Sequence, residues 1–271
     1  MKNLIYQYWD GDLLPGCRAG IENMQAYAGR IGSEYLFEHN PRFATNLGPY
    51  TPHYGAFKPI YDESFHKYDN VLFTDTDVFA TDGLKENIFE CFDVQVARPD
   101  IAICTEPDQP RLRVNTAGRI TSKSDEKWAD VIEAKWHTKV PRTIDGLVKV
   151  YNSGVVLYSN AGLLKARERF VPFKEYVSTI NAASLIAFYT CDQPYLHAML
   201  DVANMNWVEL DNGWNSYIHY VRQGKEPKCV NDTRTKNTKF VHVQLAGADH
   251  LDAETHRRIV NLPQNEWNIT R

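Results

Sequence analysis

Short β-prone apolar runs alternate with helical stretches along most of this chain, and that alternation is what most narrows its fold. Residues 4–8, 35–38, 71–74, 101–105, 155–158, 207–210 and 240–243 read as strands. Residues 19–30, 54–68, 125–136, 163–180 and 192–202 read as helices, the fourth broken or kinked at Pro172. Such an order predicts an α/β layered fold. Two stretches carry no clear period: residues 106–123, read as a long loop at a functional edge, and residues 222–239, read as a mobile excursion before the last strand.

With 271 residues, 43% hydrophobic and 24% charged, the chain has the make-up of a globular protein with one large core, which excludes disorder and collagen. A net charge of −4 gives no bulk reason to expect nucleic-acid or anionic-membrane binding. The five cysteines form no C-x-x-C pair, which favours reduced thiols over disulfides or zinc. No apolar run approaches the roughly 18 residues of a membrane span, and residues 4–9 are too short for a signal-peptide core. A cytoplasmic location is therefore expected, that of the host if the source is viral. The two glycosylation sequons, at Asn231 and Asn268, carry little weight.

The most informative segment is the apolar run Val71-Leu72-Phe73-Thr74, which leads straight into Asp75-Thr76-Asp77. Charges set against a buried run need a partner or a metal, and open α/β sheets collect ligands at the C-terminal ends of their strands. Alternate residues of an extended strand point the same way, so Asp75 and Asp77 can converge on one hard cation, Mg²⁺ or Mn²⁺, together with a diphosphate. The plain alternative is a pair of turn aspartates capping the next segment. Dehalogenase-type phosphatases also place Asp-x-Asp after an apolar strand; there Asp75 would be the nucleophile and Asp77 the acid/base. That motif opens its domain, whereas here an α/β unit precedes it.

Four further segments, one before the pair and three after it, fall in order. Residues 54–61 hold Lys58; Tyr151-Asn152-Ser153-Gly154-Val155 is a strand with a glycine; Cys191-Asp192-Gln193-Pro194 opens a helix and is trailed by Trp214-Asn215; and Lys239-Phe240-Val241-His242-Val243 is the closing strand. Together with the aspartate pair, this order resembles metal-dependent GT-A glycosyltransferases, most nearly the retaining, glycogenin-like group of family 8. The resemblance spans roughly residues 54–250.

It implies one α/β/α GT-A domain with a mostly parallel central sheet, residues 1–110 forming a nucleotide-binding half and 111–271 an acceptor-binding half with a closing segment. It implies an enzyme that moves a hexose or pentose from a nucleotide sugar, a UDP-sugar by the family's habit, with Mn²⁺ or Mg²⁺ held by Asp75, Asp77 and His242. Lys58 and Asp192 are the implied catalytic residues, Lys58 at the donor sugar or diphosphate and Asp192 beneath the anomeric carbon. Tyr8, Trp9, Thr76, Asn152, Gly154, Gln193, Gly247 and His250 complete the implied donor site. The chain departs from the family after His242, where no lysine occupies the position that clamps the diphosphate; His250 or an arginine from residues 106–123 is the candidate substitute. The acceptor is open among a glycan, a lipid-linked sugar, a protein and a modified DNA base, as is the oligomeric state.

Each residue also has a bland reading. Lys58 suits a solvated helix face, Asn152 and Gly154 a strand bulge, and Asp192 a helix N-cap ahead of Pro194. His242 suits a satisfied structural histidine, and Trp9 and Trp214 the core. Beside the transferase stand two other classes, the phosphatase and a non-catalytic protein that binds nucleotide sugars or glycans.

Overall fold

The computed structural model describes residues 1–92, 98–114, 120–223, 226–245 and 251–263. Its strands are β1 (Asn3–Trp9), β2 (Glu34–His39), β3 (Asn70–Thr74), β4 (Val78–Ala80), β5 (Ile101–Thr105), β6 (Tyr151–Ser159), β7 (Trp207–Glu209), β8 (Ser216–Gln223), β9 (Glu226–Asp232) and β10 (Phe240–Leu245). Six of them form a sheet in the order β2-β1-β3-β6-β5-β7, and four form a second in the order β4-β10-β8-β9. In the larger sheet only β6 runs against its neighbours.

The inner strands β1, β3, β5 and β6 are buried on both faces, which is why each carries an apolar run, while the edge strands β2 and β7 are only partly buried. Leu4, Tyr6, Val71, Phe73, Ile103 and Val156 point into one core; the residues between them, Ile5, Leu72, Ala102 and Val155, point into the other. The first core is covered by α2 (Lys58–Tyr61), α4 (Ser122–Trp136), α5 (Asn160–Arg169), α6 (Phe173–Ala182) and α7 (Asp192–Val202); the second by α1 (Pro15–Ile31). A third, smaller core joins α1, the second sheet and α8 (Ala253–Asn261) through Phe79, Ile218, Val241 and Ile259. No helix of the described residues is long and apolar enough to cross a membrane.

Three expectations need correction and one holds. The predicted helix 54–68 is a 3₁₀ turn (Thr51–Phe57), the single turn α2 and another 3₁₀ turn (Glu63–Phe65); Asp62 breaks the run by accepting a hydrogen bond from the Ser64 backbone. The break expected at Pro172 is present: residues 163–180 divide between α5 and α6, with Pro172 as the N-cap of α6. The predicted loop 106–123 contains α3 (Gln109–Val114), and α4 begins at Ser122 behind a capping box made by Thr121 and Ser124. The predicted excursion 222–239 contains β9, paired antiparallel with β8.

Candidate active site

The aspartate pair lies where the chain leaves one sheet for the other. β3 ends at Thr74 in the larger sheet and β4 begins at Val78 in the smaller, so residues 75–77 form the link. The two carboxylates converge through a turn, closed by the Val78 N–H on the Asp75 carbonyl at 3.2 Å, and not through strand alternation as the sequence suggested. Surrounding elements fix this turn. The Gln7 side chain donates to the Asp75 carbonyl at 2.8 Å, the Asp75 N–H reaches the Gly154 carbonyl at 2.9 Å, and the Val243 N–H reaches the Asp77 carbonyl at 2.8 Å. Behind it, α1 approaches so closely at Gly20 that a Cβ there would stand 1.8 Å from the Thr76 carbonyl oxygen.

β10 brings in His242. It pairs antiparallel with β4, with His242 opposite Val78, which sets the imidazole beside the carboxylates. His242 Nε2 is 3.1 Å from Asp77 Oδ1 and 3.8 Å from Asp75 Oδ2. The three residues offer donor atoms within 4.8 Å of one another. The ring is buried, its Nδ1 meets no hydrogen-bond partner among the described residues, and a Cβ at Gly154 would lie 2.4 Å from its Cε1. The imidazole is thus oriented by the carboxylates through Nε2 and given room by a glycine.

The electrostatics of this trio suit a cation. Crowding by protein and the charge of Asp77 push the Asp75 carboxyl up to about 7, although 39% of its side chain is exposed. Burial alone would lower His242, but Asp77 and Asp75 outweigh it and raise the ring to about 9. The His242 shift reflects the negative charge of its two neighbours, whereas burial is the larger cause for Asp75 and the charge of Asp77 adds to it. Two carboxylates and an imidazole form a donor set that Mn²⁺ or Mg²⁺ accepts, so the residues fit the implied ion.

Asp75, Thr76 and Asp77 line a cavity of about 470 Å³ together with Tyr8, Trp9 and His53. Asp192, the first residue of α7, stands beside it. Its Oδ1 is 3.3 Å from His53 Nδ1, and its Oδ2 accepts the Ser153 hydroxyl at 2.6 Å. Asn152 sits beneath the site, donating to Glu106 at 2.5 Å and accepting from Gly154 N at 2.8 Å and from Asn215 at 2.9 Å.

Other residues singled out in the sequence fall elsewhere. Lys58 is held by Glu38 at 2.5 Å and Asp62 at 3.5 Å and does not line the cavity. Gln193 faces a small separate void beside Arg113 and Asp125. Trp214 is core, packed edge-on against Phe240. Gly247 and His250 lie outside the described residues. Of the arginines proposed as phosphate ligands, Arg111 pairs with Asp145 and Arg113 is buried against Asp125, while Arg119 lies outside the described residues. Sequence reasoning missed Gln7, Gly20, His53 and Glu106. Only Gly20 left a signal, since a glycine inside a helical pattern usually marks close packing.

No family model and no curated protein matches the sequence. Solved structures do match the fold. A glycosyltransferase involved in the glycosylation of the major capsid of PBCV-1 superposes with a TM-score of 0.54 at 13% identity, covering 96% of this chain and 100% of that one. The galactosyltransferase LgtC, solved with donor and acceptor sugar analogues, gives 0.53 at 13% identity over 97% of this chain and 98% of its own. Mouse xyloside xylosyltransferase 1 gives 0.52 at 12% identity over 89% and 97%. The chain therefore has the GT-A fold of these glycosyltransferases, an α/β sandwich with a mostly parallel central sheet.

Proposed function

We propose that the protein is a glycosyltransferase that moves a sugar from a nucleoside diphosphate donor, a UDP-sugar, to an acceptor hydroxyl with retention of configuration. The observation that carries this reading is the convergence of Asp75, Asp77 and His242, with Asp75 and Asp77 on the wall of a cavity of about 470 Å³ and Asp192 beside it. The residues would hold Mn²⁺ or Mg²⁺, which when bound neutralises the charge that develops on a departing diphosphate. Asp192, with one oxygen fixed by Ser153, would hold donor-sugar hydroxyls. Tyr8 and Trp9 form the wall available to the nucleoside.

Most of the cavity wall comes from residues 8–77, which supports a donor half within residues 1–110, although Val243 and His256 also line it; an acceptor half with a closing segment in residues 111–271 belongs to the same proposal. The comparison proteins include a galactosyl- and a xylosyltransferase, so both a hexose and a pentose belong in the donor screen.

The test is calorimetry of nucleoside diphosphates and nucleotide sugars with Mn²⁺ and with EDTA, on wild type and Asp77→Ala. Metal-dependent binding of a uridine diphosphate compound, lost in the variant, is expected. Absence of binding by every nucleotide with metal present would overturn the reading and turn attention to phosphatase substrates.

A further inference from the structure

The proposed donor cavity is rich in negative charge. Asp10, Asp75 and Asp77 lie on its wall, and among the described residues no lysine or arginine does. One divalent cation balances the Asp75/Asp77 pair but leaves much of the charge of a bound diphosphate unmatched. Two histidines share the wall. His256 is buried, with Nδ1 on the Asp252 carbonyl and its ring stacked on Phe79. His53 is half exposed, with Nδ1 against Asp192.

The position of His53 is built by its neighbours. Its 3₁₀ turn is held by the Tyr8 hydroxyl, which donates to the carbonyls of Pro52 and His53, each at 2.9 Å. Gly55 lets the Tyr8 ring in, since a Cβ there would lie 2.5 Å from the ring. The Tyr54 hydroxyl donates to the Thr190 carbonyl at 2.9 Å, tying the turn to the start of α7 where Asp192 stands. Ser153 occupies the other Asp192 oxygen, so Oδ1 is turned to the imidazole. The charged groups around His53 are Asp192 on α7 and Asp75 and Asp77 on the β3–β4 link. Burial opposes its proton, and these carboxylates, Asp192 foremost, outweigh burial and raise its affinity for one. With a cation on Asp75 and Asp77, Asp192 remains.

We propose that His53, carried on Asp192, is a donor-binding residue that presents a positive charge to the phosphates of a nucleoside diphosphate, a role for which no lysine or arginine lines the described cavity. This inference rests on the transferase reading above. A lysine at residue 53 would serve the same purpose, whereas a neutral side chain would not.

The experiment is calorimetry of UDP with Mn²⁺, and of Mn²⁺ alone, on wild type, His53→Ala, His53→Gln and His53→Lys from pH 6.0 to 8.5. Ratios to wild type at each pH cancel the protons displaced from the metal cluster. The neutral variants should bind UDP about tenfold more weakly at pH 6.5, as expected for loss of one charge-assisted hydrogen bond. The deficit should shrink as pH rises and wild type gives up the same charge, and His53→Lys should restore affinity across the range. Affinity for Mn²⁺ alone should be unchanged. Wild-type UDP affinity in His53→Ala at pH 6.5, or an equal loss of Mn²⁺ affinity, overturns the proposal and leaves the transferase reading intact. Failure of wild type to bind UDP with Mn²⁺ overturns both.

Discussion

Gly154 and His242 cannot both carry side chains, because the imidazole fills the space a Cβ would need. Gly154→Ala is expected to cost about 1–3 kcal/mol through overpacking and to weaken Mn²⁺ binding more than tenfold by turning the ring from Asp77. Thermal melts and metal titration together test this; an intact Mn²⁺ site in the variant would refute it. The proton load of the same cluster has a signed consequence. Folding raises His242 from its ordinary 6.5 to about 9, so its contribution to stability is full below pH 6.5 and is lost as pH rises toward 9. Asp75, raised from 3.8 to about 7, acts in the same direction, its contribution disappearing as pH rises through about 7. The metal-free protein should therefore lose stability as pH increases from 6 to 8.5, while the gain in Tm on adding Mn²⁺ grows as protons leave the ligands. Melts in EDTA and in Mn²⁺ across that range read both trends; a gain independent of pH would mean that no proton is displaced. At this scale the aspartate pair and His242 were legible because they sit in ordered motifs. His53 was not, since its partner Asp192 comes from a helix far along the chain and no local spacing announces the pair.

Helix α1 shows how a distant element sets the geometry of the metal cluster. Its Gly20 rests on the Thr76 carbonyl, a backbone atom that has no rotamer by which to yield. Gly20→Ala, which on an exposed helix would stabilise, should here lower stability by about 1–3 kcal/mol and disturb metal binding as well. Thr121→Ala, at the N-cap of α4, should cost a comparable ~1 kcal/mol with metal affinity unchanged. A pairing of Tm and Mn²⁺ affinity for the two variants separates site-bearing from site-remote helices. The inner strands of the larger sheet were readable because burial on both faces gives each an apolar run. β4 has three residues and β9 is a polar edge strand, so neither shows a period, and β4 finds its place only by pairing with β10 from late in the chain. The aspartate turn was misread as extended for the same reason: the change of sheet after Thr74 is a tertiary event.

Across the whole molecule, fold and sequence have separated: structures 12–13% identical share nearly the full length of this chain, while no family model matches it. Buried alternation is enough to keep two apolar layers around the larger sheet, and it places few demands on which apolar residue stands where. The link between the sheets makes them one cooperative unit, so a single thermal transition is expected. Mn²⁺ with UDP at about a hundred times Kd should stabilise that unit by about 2.7 kcal/mol, and Asp77→Ala should retain the single transition without the gain. Two separate transitions in calorimetry would show instead that the sheets unfold independently. The same link bears on the order of assembly. β3 and its aspartates are made early in synthesis and His242 late, and the cation ligands meet only when β10 has docked against β4, a contact of long sequence separation that forms slowly. In refolding experiments the helical signal should therefore recover first and Mn²⁺ capture afterwards, so the nascent chain would remain blind to its metal until β10 had been synthesised.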